Sequence, residues 1–330
     1  MTTETKRALI FGISGQDGAY LARLLLSKGY TVFGTSRDAE MANSGNILRL
    51  GILDQITLFS SVPSDYHSVM SAVGRARPNE VYNLSGQSSV GLSFEQPAET
   101  LNSIALGTLN ILEAIRAIDL NIRFYSAGSG ECFGDTNGVP ATETTAFNPC
   151  SPYAIAKAAA HWEVINYRMA YGLFACSGIL FNHESPLRPA RFVTQKIIQG
   201  AVSAASGNQK RLTLGNLSIR RDWGWAPEYV EAMWLMLQQD TAEDYVIATG
   251  QSNRLEDFVE AAYAHFGLDY KDHIETNDSL LRPTELMHGL GDASKAAQNL
   301  GWRTQKNMVD VVSAMAQAET IRQTGADESL

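Results

Sequence analysis

In about thirty residues the chain completes one strand, one helix and a second strand, and this unit constrains the fold more than any other feature. Ala8-Leu9-Ile10-Phe11 is an unbroken apolar run, as expected of a strand buried on both faces. From Ala19 onward, Tyr20, Leu21, Leu24 and Leu25 keep helical spacing as far as Lys28-Gly29, where glycine takes the usual helix-ending place. Thr31-Val32-Phe33 reads as the second strand. Parallel strands joined through a helix require right-handed crossovers. The alternation continues with a helix expected over 66–76, a strand over 80–84, a helix over 99–117 and a strand over 122–126. A long helix over 153–171, with Ser151 as its cap and Pro152 at its first position, then leads to a strand over 173–181. The pattern predicts an α/β protein on a doubly wound parallel sheet, a Rossmann fold.

Beyond Asn182 the character changes. Pro186, Arg188, Pro189 and Arg191 precede a helix expected over 193–205, and short strands among irregular segments follow. With 330 residues, about two units are expected. Residues 1–180 form the dinucleotide-binding domain with the catalytic groups, and 181–330 a smaller α/β substrate lobe. The boundary is soft, with some later segments returning to the first domain. Residues from Ala318 onward are expected to fray. Lys and Arg number 26 against 35 Asp and Glu, a net charge of −9. That balance excludes a surface built throughout to grip nucleic acid or anionic membrane, but it permits a local basic pocket. Cys132, Cys150 and Cys176 form no C-x-x-C pair, and their odd number fits a reducing compartment. No run approaches the ~18 apolar residues of a membrane span. A cytoplasmic protein with no membrane or nucleic-acid partner is expected.

Gly12-Ile13-Ser14-Gly15-Gln16-Asp17-Gly18 spaces three glycines between the first strand and the first helix. In that position the first glycine permits a tight turn and the second lets backbone approach a pyrophosphate. The third lets helix and strand pack closely, while the helix N-terminus faces the phosphates. Gly12, Ser14, Gly15, Gln16, Asp17 and Gly18 are therefore candidate cofactor contacts. Where an NAD site often carries a carboxylate at the end of the second strand, this chain has Gly34-Thr35-Ser36-Arg37. Hydroxyls and a guanidinium suit a 2′-phosphate, so NADP is favoured over NAD, with Arg37 as its contact. The plainer alternative makes Arg37 a solvated loop residue.

Tyr153 and Lys157 stand at i and i+4 of one helix and share a face. A lysine ammonium beside a phenol is expected to lower the tyrosine pKa from about 10 towards neutrality, making a base for a sugar or alcohol hydroxyl. The preceding strand ends in Ser126-Ala127-Gly128-Ser129-Gly130-Glu131, at the sheet edge where ligands bind in this architecture. Ser129 can share the hydroxyl with Tyr153, and Glu131 offers a carboxylate for proton exchange at carbon. A turn hydroxyl and a surface carboxylate are the respective alternatives. No cluster of His, Cys and carboxylates has metal-ligand spacing, so no metal is implied.

Together these residues resemble the extended short-chain dehydrogenase/reductase superfamily, and within it the GDP-mannose 4,6-dehydratases. Further motifs carry the resemblance along nearly the whole chain: Tyr82-Asn83-Leu84-Ser85-Gly86-Gln87-Ser88, Asn182-His183-Glu184-Ser185-Pro186, Arg221-Asp222-Trp223-Gly224 and Arg282-Pro283-Thr284-Glu285. The resemblance implies oxidation of the hexose at C4 by NADP⁺, removal of the C5 proton, loss of the C6 hydroxyl as water and hydride return to C6. Tyr153 would be the base, Lys157 and Ser129 its partners, and Glu131 the group acting at C5 and C6. Asn182, Lys196, Arg221, Arg282 and Glu285 would bind the GDP part and Ser88 would lie near the hexose, in a homodimer or homotetramer whose loop after Arg37 meets a neighbour's cofactor. His183 stands between a structural and a site role. The chain departs from the family pattern at Asp38, where a second arginine is usual, and at Ser60-Ser61-Val62-Pro63, where an aspartate usually meets the adenine. It also departs at Ser129 and Gly130, where threonine and a hydroxyl residue are usual, and these changes are expected to widen the pocket. Action on another GDP-sugar such as a heptose, 4-keto-reduction, or sensing without turnover remain alternatives.

Overall fold

The computed structural model describes residues 5–39, 45–208 and 210–324. Its centre is a seven-stranded, all-parallel sheet. The chain lays down β1 (Arg7–Phe11), β2 (Thr31–Ser36), β3 (Ile56–Ser60), β4 (Glu80–Asn83), β5 (Arg123–Ala127) and β6 (Ala175–Leu180). Across the sheet the order is Tyr245–Ile247, β6, β5, β4, β1, β2, β3. Strand order reverses between β1 and β4, which opens a crevice at their carboxyl ends.

Alternate residues of β1 serve opposite faces, as the two-residue strand period requires. Ala8 and Ile10 join a core with Leu21 and Leu25 of helix Gln16–Ser27 and with Tyr229 and Met233 of helix Ala226–Met236. Leu9 and Phe11 join the other core, with Val69 and Val73 of helix Tyr66–Ala76, Ile111 and Ile115 of helix Gly107–Ile118, and Val164 of helix Pro152–Tyr171. The edge strand β3 buries only Phe59, which explains why no apolar run marks it.

Two smaller sheets extend the molecule. In one, Arg220–Trp225 lies between Asn182–Glu184 and Ser252–Arg254; in the other, Leu212–Leu214 pairs with Ile274–Thr276. Helices Val193–Ala205, Leu255–Ala264 and Met308–Thr324 close a third core around Ile197, Phe258, Val311 and Met315. After residue 180 the chain also returns to the large sheet, through Ala226–Met236 on its face and Tyr245–Ile247 at its edge.

The helix expected over 99–117 is interrupted. Pro97–Leu101 passes through a π turn at Asn102–Leu106 into Gly107–Ile118. By length and mean hydropathy this stretch is apolar enough to cross a membrane, but Ile104, Ile111, Leu112 and Ile115 are buried within the protein. The expected fraying from Ala318 is corrected through Thr324. Ala318 and Glu319 are buried in helix Met308–Thr324, where Glu319 accepts from Gln195 and Arg322. The remainder of that stretch, and most of the loop after Arg37, lie outside the described residues.

Candidate active site

The glycine loop sits at the crevice because each of its outer glycines is forced. Gly12 adopts φ +84°, and a Cβ there would stand 2.8 Å from the Leu84 carbonyl oxygen at the end of β4. A Cβ on Gly18 would collide with the Gly12 oxygen. The Gly15 amide donates to that same oxygen at 3.1 Å, and the helix starts at Gln16, three residues earlier than its apolar periodicity suggests. Its first-turn N–H groups thereby border the loop, the arrangement that favours phosphate. Ser14 is half-buried and Gly15 exposed, while Arg37 is exposed immediately past β2.

Gln16 and Asp17 turn their side chains into the protein. Gln16 Nε2 donates to Asp17 Oδ1 at 3.0 Å and to the His183 carbonyl at 3.2 Å, and its Oε1 accepts from Ser185 Oγ at 2.7 Å. Asp17 Oδ2 lies 2.9 Å from His183 Nε2, while His183 Nδ1 donates to the Phe181 carbonyl at 2.8 Å. Nδ1 therefore carries a proton, and Nε2 faces a carboxylate, an arrangement that favours the doubly protonated ring. Burial opposes that charge, but Asp17 more than compensates and raises the His183 pKa. Burial likewise opposes the Asp17 carboxylate, and His183 brings its pKa below the ordinary value. His183 also stacks on Tyr229 at 4.4 Å, so its side chain ties the glycine loop to strand Asn182–Glu184.

The catalytic candidates converge from two elements. Ser151 Oγ accepts from the Ala154 amide at 3.1 Å and Pro152 opens the helix, which fixes Tyr153 and Lys157 on its buried face. Ser129 caps a single turn, Gly130–Phe133, accepts from the Glu131 amide at 3.3 Å, and stands beside the Tyr153 phenol. Lys157 Nζ donates to the Ala127 carbonyl at 2.6 Å and lies 5.9 Å from the centre of the Tyr153 ring.

The expectation of a lowered tyrosine pKa is corrected here. Burial pushes the Tyr153 phenol above its usual value, with the Ser129 hydroxyl and the Arg188 charge only partly opposing it. Lys157 is itself pulled down to about 8 by burial, and its ammonium is aimed at the Ala127 oxygen rather than at the phenol. Desolvation outweighs pairing at both groups.

Ser129, Glu131, Tyr153 and Lys157 line one cavity of about 450 Å³, and Ser88, Asn182, Lys196, Arg221, Arg282 and Glu285 line the same cavity. Arg221 is buried and held rigidly. Its Nη1 donates to the carbonyls of Arg220 and Leu286 at 2.9 and 2.8 Å, and its Nη2 stands 3.5 Å from Glu285 Oε1. Arg282 Nη1 is 3.7 Å from the same carboxylate oxygen. Two guanidiniums thus share one carboxylate, and their paired donors suit a diphosphate.

Sequence reasoning passed over two cavity cations. Arg188 Nε is 3.0 Å from the buried Glu184, and Arg191 Nη2 donates to Ser88 Oγ at 3.4 Å. The cluster of prolines and arginines after Asn182 is the signal that marks them. Nor does Gly130 widen the pocket. A Cβ there would stand 3.0 Å from the Phe181 ring, which already fills the space a larger residue would take.

A family model described as GDP-mannose 4,6 dehydratase matches residues 9–315. GDP-mannose 4,6 dehydratase 1 of Arabidopsis thaliana is 45% identical over 320 residues, covering 94% of this chain and 88% of the relative. The GDP-mannose 4,6 dehydratase of Homo sapiens is 40% identical over 337 residues, covering 94% and 91%. Among solved structures, a dTDP-glucose 4,6-dehydratase of Streptomyces venezuelae with NAD and TYD bound superposes at a TM-score of 0.85 and 19% identity, over 96% of this chain and 97% of that one. The last likeness speaks for the fold alone. With a matched span running from the first strand into the last helix, and with relatives alike over almost their whole length, this chain belongs to the GDP-mannose 4,6-dehydratase family.

Proposed function

We propose that this chain is a GDP-mannose 4,6-dehydratase that converts GDP-mannose to GDP-4-keto-6-deoxy-mannose. The observation that carries the reading is the single cavity. It brings a tyrosine, lysine, serine and glutamate together with Arg221 and Arg282 in one lining that also includes Asp17 of the glycine loop.

The residues divide the work by chemistry. Tyr153 takes the proton of the C4 hydroxyl, with Ser129 sharing that hydrogen bond, while the Lys157 ammonium, held by the Ala127 carbonyl 5.9 Å from the ring centre, acts on the phenolate through its charge and not through a hydrogen bond. Once C4 is a ketone, the C5 proton is acidic enough for a carboxylate. Glu131 removes it and delivers it to the departing C6 hydroxyl, so that water leaves without free hydroxide. A proton added at C5, balanced by the one Tyr153 took from the C4 hydroxyl, completes the product with water as the sole loss. Arg221 and Arg282 hold the diphosphate and Glu285 fixes both guanidiniums; Asn182, Lys196 and Ser88 complete the nucleotide-sugar site.

The cradle at Gly12 and Gly18, where a side chain would collide with backbone, fits a dinucleotide pyrophosphate. Gly12, Ser14, Gly15 and Gly18 would hold it, with Gln16 and Asp17 fixing the loop from behind. A nicotinamide cofactor held there would supply reversible hydride storage. We assign NADP rather than NAD, because Thr35, Ser36 and Arg37 offer donors at the end of β2.

Homodimers or homotetramers are supported by one apolar helix face. Ile155, Trp162 and Met169 are exposed at seven-residue spacing on helix Pro152–Tyr171, which packs beside Pro97–Leu101, where Leu101 is exposed too. Free cysteines at 132, 150 and 176 support a cytoplasmic setting.

The test is incubation of purified protein with GDP-mannose, without added reductant, followed by mass spectrometry. Loss of one water is expected. Unchanged GDP-mannose with dinucleotide bound would remove this reading.

A further inference from the structure

A segment over residues 282–292 carries Arg282 and Glu285 along the cavity and is laced to the loop between Glu131 and Tyr153. The centre of the lacing is Asp135. One carboxylate oxygen accepts the Met287 amide at 2.7 Å and the His288 amide at 3.4 Å. The other accepts the Asn137 amide at 2.8 Å and lies 3.6 Å from His288 Nδ1. Burial opposes the charge on Asp135, yet these amides hold its pKa below the ordinary aspartate value. Asn137 is at φ +50°, a left-handed turn that the Asp135 side chain closes. Around this centre, the Thr136 amide donates to the His288 carbonyl at 3.0 Å, the Ala141 amide to the Leu290 carbonyl at 2.9 Å, and Thr284 Oγ1 to the Cys150 carbonyl at 2.6 Å. On its other side the segment is fixed to Arg221, which donates to the Leu286 carbonyl.

We propose that Asp135 is a positioning residue: it registers the segment bearing Arg282 and Glu285 against the loop bearing Ser129 and Glu131, and so holds the diphosphate-binding side chains in place for the nucleotide-sugar. This rests on the dehydratase reading above. Asp135 does not line the cavity, so it acts through the segment it holds. A carboxylate suits that task because it accepts from two chain segments at once, one on each oxygen, which a neutral amide side chain cannot do. Thr284 is the second fastening, near the other end of the segment.

The experiment first establishes wild-type loss of water from GDP-mannose, then compares variants of the full chain for KM, kcat and dinucleotide affinity. Asp135→Ala is expected to raise KM for GDP-mannose about tenfold, with kcat within about twofold and dinucleotide affinity unchanged. Thr284→Val removes one hydrogen bond and no charge, and is expected to raise KM about threefold. Wild-type failure would reject the dehydratase reading. Wild-type turnover with KM unmoved in folded Asp135→Ala or Thr284→Val would overturn the positioning role, as would parallel losses in KM and dinucleotide affinity, the mark of general loosening.

Discussion

Lys157 carries the sharpest electrostatic conflict in the site, because an ammonium is buried with one carbonyl as its hydrogen-bond acceptor. Its pKa falls from 10.5 to about 8, so between those values the unfolded chain holds the proton more firmly. The penalty is therefore complete below about pH 8 and fades as pH rises towards 10.5. Lys157→Met should unfold later in denaturant than wild type near neutrality, by at most on the order of 3 kcal/mol, and the gap should narrow near pH 10. An unchanged gap would show that the lysine is not under strain. The same titration predicts kcat declining as pH rises through about 8, as the ammonium is lost. The Asp17–His183 pair has the opposite sense. His183 is raised, so its contribution is complete below its unfolded pKa and lost as pH rises through the folded one; Asp17 is lowered, so its share is lost only in acid. Asp17→Asn should cost most stability from weakly acid to neutral pH and less in alkali, as read from melting temperatures across pH. Glu131→Gln should build up near-ultraviolet absorbance of reduced nicotinamide while losing no water; normal water loss would reassign Glu131.

At the scale of elements, the helix Pro152–Tyr171 begins where its sequence says it should, because cap, proline and periodicity agree. Ser151→Ala should lower stability by about 1 kcal/mol, from loss of the cap to the Ala154 amide. Tyr153 lies two residues past that cap, so kcat should fall with little change in dinucleotide affinity; equal losses in both would point to wider disruption. The central strands were legible for a related reason. A parallel strand covered on both faces favours apolar residues: β1 shows an unbroken run from Ala8 to Phe11, while β4 and β5 keep only the central pairs Val81-Tyr82 and Phe124-Tyr125. β3, at the edge with little to bury, leaves no such mark. The C-terminal helix was underestimated because its buried residues, Ala318 and Glu319 among them, include groups that ordinarily face water.

For the whole molecule, the exposed Ile155, Trp162 and Met169 predict assembly through the helix face. Trp162→Glu should shift the protein towards monomer in light scattering at unchanged secondary structure, and an unaltered mass would place the interface elsewhere. The sequence by itself determined the doubly wound architecture, the glycine loop, and the pairing of Tyr153 with Lys157, because each is written in spacings of a few residues that report which side is buried. Only the tertiary structure decided the pairing of His183 with Asp17, the filling of the space beside Gly130 by Phe181, and the fastening of the 282–292 segment by Asp135. It also reversed the expected shift at Tyr153. These outcomes depend on desolvation and on partners many residues away, and no local periodicity records either.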